Sequence, residues 1–250
     1  VTFSRYLLGK PLENYQDYVF YPFSPPNPRL VDTFQQDLTF GLQRVIGVNP
    51  VVLRAVTRQN PLPAALPESE IRRIFAEQII EVDYAAALEQ KRVYVLDYAS
   101  LEILQQNPGS IDGGRKQYVT TPIVVLFLQS DGLLQPLAIQ LYQDARPDNP
   151  VYTPKDGNLW LAAKMFAQVA DGNHHILYTH ATRIHYVMEA IIMASRRQLY
   201  KSHPLSVLLN PHLQHTLNVN HQHTFLRNQK GQPGRYGELF AGDYDATTQC

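Results

Sequence analysis

Residues 159–219 read LWLAAKMFAQVADGNHHILYTHATRIHYVMEAIIMASRRQLYKSHPLSVLLNPHLQHTLNV, and the reading of this stretch decides the fold. It opens as an apolar-rich run with helical spacing. Into that run are set His174, His175, His180 and His185, followed by Glu189. The chain has nine histidines, and four of them fall within these twelve positions. Imidazoles inside an apolar helix are costly unless something pairs with them. They call for hydrogen-bond partners or for a metal ion.

The spacing narrows the choice. His175 and His180 are five residues apart, as are His180 and His185. On a regular α-helix five residues turn about 500°, which leaves such a pair about 140° apart. A π-type turn bonds residue i to i+5, nearly eclipses residues five apart and would bring the rings together. Asp171, Gly172 and Asn173, a poor helix-forming tripeptide, lie just upstream where irregularity would be tolerated. The zinc-protease pattern, with His at i and i+4 and a Glu beside the first, is absent. Spacing alone therefore leaves two readings open: satisfied structural histidines, or a metal site on a π turn.

Working outward, the upstream half alternates helix and strand. Residues 21–30 (YPFSPPNPRL) hold four prolines and read as an extended strap. Residues 31–45 are weakly helical and amphipathic. Gly47, Val48, Asn49 and Pro50 make a turn, and the short apolar piece VVLRAV follows. After a proline-rich break at 61–67, Ser69 is expected to cap a helix that lines Ile71, Ile74, Phe75, Ile79 and Val82 on one face. Residues 92–98 (RVYVLDY), 123–128 and 137–141 read as strands. Ser130, Asp131 and Gly132 form a hairpin signal between the last two. A polar loop at 143–157 leads into the central helix. The fold class is mainly α with a small antiparallel β-sheet.

Composition excludes several classes of function. Lys plus Arg equals Asp plus Glu, 22 each, so there is no electrostatic footprint for nucleic acid and no polybasic membrane patch. A hydrophobic fraction of 44% suits an ordinary globular domain. The single cysteine, Cys250, rules out an intramolecular disulfide and a thiolate metal cage. No secretory signal or bilayer-length apolar run is evident, and a cytoplasmic location is expected. The chain opens on Val1 rather than Met, so it is expected to be a piece of something longer.

The region from Trp160 to Asn220 resembles the iron-binding central helix of lipoxygenases. That family's motif is His, Gln or Glu, three residues, His, four residues, His, three apolar or small residues, Glu. Here His175, His180, His185 and Glu189 stand at those intervals. RRQL at 196–199, His203 with Pro204, and LLNPH at 208–212 match the downstream run. QRVIGVNP at 43–50 resembles the family's GVNP segment, and the strands from Val93 to Leu141 resemble those that precede the iron helix.

The resemblance implies a non-haem iron dioxygenase with a partial lipoxygenase-like catalytic domain around one long central helix. Residues 1–157 would form the strap, helices and small sheet, 158–220 the iron-helix region and 221–250 a polar tail. The family's chemistry removes a hydrogen from the doubly allylic carbon of a polyunsaturated fatty acid and adds dioxygen, giving a hydroperoxide. The implied metal ligands are His180 and His185. His175 leads the motif without being a ligand. The implied partners are the fatty acid and dioxygen, with peripheral membrane contact as a further expectation.

The departures from the family pattern are specific. Ile176 stands where the family has Gln or Glu and cannot join a hydrogen-bond network. Thr182 replaces Leu or Met, and Ile184 replaces a small residue. His221 stands where Ala or Gly borders the oxygen entry point, so it is expected to narrow that route. The family completes its iron site from a later helix, with His, three residues, then Asn or His, and from the carboxylate of a terminal Ile. None of these follows Asn220. The tail segment GELFAGDYDA resembles a stretch that lies mid-domain in the family. The chain therefore reads as the first half of a lipoxygenase catalytic domain, lacking its C-terminal half, or as a degenerate relative.

Simpler roles stand beside these. Glu189 is expected in an ion pair or hydrogen bond, because it lies four residues after His185 on nearly the same face. Arg196 and Arg197 suit a helix C-terminus, and His203 with Pro204 suits a helix end. Met165, Phe166 and Leu177 suit core packing more readily than a lipid pocket. The alternative function is a non-catalytic protein of this fold that binds a lipid or a partner through an uncovered face of the central helix.

Overall fold

The computed structural model describes residues 33–78, 81–106, 110–111, 115–116 and 119–227. The proline-rich strap, Ile79 and the tail beyond residue 227 lie outside them. A five-stranded antiparallel sheet forms the middle layer. Its strands are Arg54–Ala55 (β1), Val93–Asp97 (β2), Ile123–Leu128 (β5), Leu134–Gln140 (β6) and Val151–Tyr152 (β7), in the spatial order β1-β2-β5-β6-β7. The short pair Ser110–Ile111 (β3) and Arg115–Lys116 (β4) stands apart.

Strand β5 is apolar throughout because it is buried on both faces. Val124 and Leu126 face one core, where they meet Leu96, Tyr98, Ile139 and the long helix. Ile123, Val125 and Phe127 face the other, against Ile71, Ile74, Phe75 and Tyr84. Each fully buried Leu or Ile here contributes about 1.5–3 kcal/mol. Strand β6 starts at Leu134, earlier than the apolar run at 137–141 suggests. It runs through Pro136, which pairs with Leu126, and the register shifts between Leu126 and Val125. Proline cannot donate to a ladder and is tolerated where a bulge interrupts it. The hairpin signal holds: Gly132 has φ +83°, and Leu133 N–H donates to Asp131 Oδ1 at 2.9 Å.

Other expectations are corrected. The helix Glu68–Glu77 starts one residue before Ser69, after Pro67, and no side chain caps it. Its buried face is Ile71, Ile74 and Phe75, with Val82 packed on the same cluster from beyond the helix. The polar loop at 143–157 contains β7 and the 3-10 turn Pro154–Asp156, closed by a Thr153–Asp156 capping box. His203 and Pro204 begin a helix, Pro204–Leu209, rather than end one. The His203 side chain accepts from Leu205 N–H, and proline sits where a first helical turn tolerates it. Helix Thr216–Arg227 crosses the 220/221 boundary expected for a polar tail.

The long helix runs without a break over residues 158–198, in three segments. Asn158–His174 is α, His175–Tyr186 is π and Val187–Gln198 is α. Ala163, Ala167 and Ala170 are fully buried against the sheet, and their small size lets the helix approach closely. Met165, Phe166, Val169, Ile184, Val187 and Ile191 are exposed, so Met165 and Phe166 do not join the core. Leu177 does. Arg196 and Arg197 occupy the last turn, as expected. Among the described residues no helix is long and apolar enough to cross a membrane.

Helix Asp37–Ile46 packs across β6 through Gly41. A Cβ built there would lie 1.7 Å from Leu134 O. Gly41→Ala is therefore expected to force the helix off the sheet, at a cost of about 1–3 kcal/mol typical of overpacking. A fall in the urea midpoint checks this, and an unchanged midpoint would contradict the close approach.

Candidate metal site

The π segment is what brings the histidines together. His180 and His185 have ring centroids 4.6 Å apart, and His175 and His180 5.4 Å apart. The i+5 register also appears in a side chain. Thr182 Oγ1 donates to the carbonyl of Leu177, five residues back, at 2.7 Å. The hydroxyl that stands where Leu or Met was expected thus helps satisfy the π backbone. Ile176 packs against the sheet-facing core, so it serves the interior and not a polar network.

His185 has the more elaborate surroundings. Its Nδ1 lies 2.9 Å from Asn220 Oδ1. Asn220 Nδ2 donates to His185 O at 3.0 Å and to Glu189 Oε2 at 2.8 Å. Glu189 is exposed, and its carboxylate takes the structural hydrogen bond expected of it. His221 is exposed on helix Thr216–Arg227, one position past Asn220. Asn220 is a functional candidate that sequence reasoning missed, because its partners lie 35 and 31 residues away in the chain.

His180 is partly buried. Burial holds its imidazole below the usual histidine range, and the neighbouring His185 and His175 add to the effect. The ring therefore stays neutral at neutral pH, the state a metal requires. His175 Nδ1 is buried and has no hydrogen-bond partner among the described residues.

A second polar cluster anchors the helix just before the π segment. Arg44 and Asp171 are both buried, with Nη1 3.1 Å from Oδ2. Asp171 Oδ1 accepts from Tyr98 O–H at 2.7 Å and from Asn49 Nδ2 at 3.1 Å. Asn49 Oδ1 accepts from Thr179 Oγ1 at 2.8 Å, and its Nδ2 lies 3.3 Å from His174 Nδ1. The GVNP turn thus reaches the α-to-π junction from both sides. His174 is not a surface residue: its ring packs between Tyr98 and Tyr178.

Burial pushes His174 below its ordinary value. Asp171 opposes this, and Arg183 and His175 add to it. A histidine that binds protons less readily folded than unfolded contributes stability at pH above its unfolded value of about 6.5. That contribution is lost as pH falls from there through the folded value. The urea midpoint is expected to fall between pH 8 and pH 5.5, and His174→Gln to flatten that fall. Equal slopes in both proteins would contradict it.

Two imidazoles suit a borderline divalent metal such as ferrous iron. His185 Nδ1 is engaged by Asn220, which leaves Nε2 for a ligand. The donor set fits iron in part. Among the described residues no group of three or more His, Cys, Asp or Glu side chains is placed to hold a metal ion.

The lipoxygenase family model matches residues 11–231. The chain belongs to the lipoxygenase family. It is 37% identical over 188 residues to the hydroperoxide isomerase ALOXE3 of Homo sapiens, covering 74% of this chain and 25% of that protein. It is 36% identical over 204 residues to the linoleate 9/13-lipoxygenase of Pseudomonas aeruginosa, covering 77% and 29%. Among solved structures it resembles a calcium-dependent 11R-lipoxygenase, with TM-score 0.67, 28% identity and coverage of 88% of this chain and 32% of that one. The chain thus spans between a quarter and a third of the lengths of these relatives.

Proposed function

We propose that this chain carries the central-helix half of a dioxygenase site for polyunsaturated fatty acids, with His180 and His185 as two ligands of a non-haem iron. The observation that carries this is the π segment, which places their rings 4.6 Å apart where a regular helix would separate them. Iron, when bound, supplies the one-electron oxidation that starts dioxygenation. The chain's own residues present two imidazoles and fix their spacing through the π backbone. The exposed apolar side of the helix would border the fatty acyl chain and exclude water from it. His221 would border the oxygen route.

That same apolar side favours the second reading, a non-catalytic relative that binds a lipid or a partner. A ferrous titration separates the two. The chain, 15N-labelled at histidine, is titrated with ferrous iron under argon. His180 and His185 signals are expected to broaden together, and His180→Ala to abolish the effect at His185. Independent responses at the two histidines, or a response untouched by His180→Ala, would remove the metal-site reading.

A further inference from the structure

We infer that Asn220 is a positioning residue that sets which nitrogen of His185 carries the proton, an inference that rests on the metal-site reading above. Asn220 is buried, at 3% exposure, and comes from helix Thr216–Arg227, a different element from the one that bears the histidine. The orientation of its amide is fixed by what surrounds it. Its Nδ2 faces the carbonyl oxygen of His185 at 3.0 Å and the Glu189 carboxylate at 2.8 Å. Neither group has a hydrogen to give, so only the NH2 end can sit there.

The other end of the amide is then settled. Oδ1 lies 2.9 Å from His185 Nδ1. A carbonyl oxygen only accepts, so the hydrogen between them must belong to Nδ1. A neutral imidazole carries one N–H, and Nε2 is left with its lone pair directed away from Asn220. Free neutral histidine favours the opposite tautomer, with the proton on Nε2, which cannot ligate through that atom. Asn220 therefore removes the tautomer that would block a metal and holds the ring against rotation. Partners of this kind raise ligand basicity and fix ring direction in metal centres.

Glu189 gains a defined task in this arrangement. Its carboxylate holds the NH2 end of Asn220 and so keeps the acceptor end facing His185. The order of importance is Asn220 first and Glu189 second, because His185 O still receives one Nδ2 hydrogen when Glu189 is gone. The arrangement needs helix Thr216–Arg227 docked on the segment Val187–Gln198, so the ligand is prepared by tertiary folding before any metal arrives.

The test uses the full 250-residue chain, labelled with 15N at histidine, metal-free at pH 8, with long-range proton–nitrogen spectra and His185→Ala for assignment. Wild-type His185 is expected to show the Nδ1–H tautomer. Asn220→Leu is expected to move it toward Nε2–H. Asn220→Asp, combined with Glu189→Gln so that no two carboxylates face each other, is expected to keep Nδ1–H. A merely structural role would not split the two variants in this way. Ferrous iron added under argon should bind the Asn220→Leu protein about 10–100-fold more weakly, read at the His185 signal. Nε2–H in the wild-type protein, or a tautomer unmoved by Asn220→Leu, would overturn the inference. The wild-type spectrum decides the matter even if Asn220→Leu does not fold. A wild-type Nδ1–H tautomer with no response to iron would instead sink the metal reading and leave the positioning role intact.

Discussion

Asp171→Ala is expected to cost about 3–5 kcal/mol of folding stability, the range for breaking a buried ion pair from one side. The loss exceeds that of the contact itself. Arg44, 2% exposed, would keep a buried guanidinium with no carboxylate opposite it. Tyr98 O–H and one hydrogen of Asn49 Nδ2 would lose their acceptor at the same time. Arg44 would retain Phe40 O and the side chain of Gln168, neither of which is charged. Paired replacement should behave differently. Arg44→Met with Asp171→Leu removes both charges, and such apolar swaps are often neutral or stabilising. The expected order of urea midpoints is wild type near the double variant, with Asp171→Ala far below. A double variant as unstable as the single one would show that the cluster stabilises through its other hydrogen bonds. The single variant should also loosen the GVNP turn, because Asn49 is tied to Asp171, His174 and Thr179 together.

The cluster marks the limit of what the sequence discloses. Strand β5 is legible because an uninterrupted apolar run of strand length has few other fates. The π segment is legible for a related reason: histidines five apart have no use for one another on an α-helix, and the structure changes helix type where they begin. Asp171 is not legible. Within Asp-Gly-Asn it reads as a helix-weakening polar residue, yet it is the buried acceptor for three separate segments. Asn220 is hidden in the same way, since its partners come from another helix. Periodicity reports which face a residue occupies. It does not report which distant polar group that face will meet. The start of β6 fails for a local reason, because proline argues against a strand unless the bulge beside it is known. Met165 and Phe166 fail because apolar character on a helix does not say whether the covering surface is present.

The chain of 250 residues, purified and equilibrated with ferrous iron, is expected to retain little metal after desalting and to give no sustained conjugated-diene absorbance with linoleate. Its described residues bring two imidazoles together, and no third His, Cys, Asp or Glu joins them. Metal affinity is a property of the whole ligand set. Water can occupy the remaining positions, but it neither fixes the ion nor supplies an anionic ligand. The weak binding that remains should still depend on both rings. His180→Ala or His185→Ala removes a direct ligand, so each is expected to lower apparent affinity by at least the roughly 10–100-fold that outer-sphere changes cost. His175→Ala should do far less, because its ring lies 5.4 Å from that of His180, farther than the 4.6 Å that separates His180 from His185. The three variants together make the outcome decisive. Stoichiometric iron and sustained diene formation, abolished by His180→Ala or His185→Ala, would show that residues outside the described ones complete the site. Equal small losses in all three variants would show adsorption to surface histidines and no site at all.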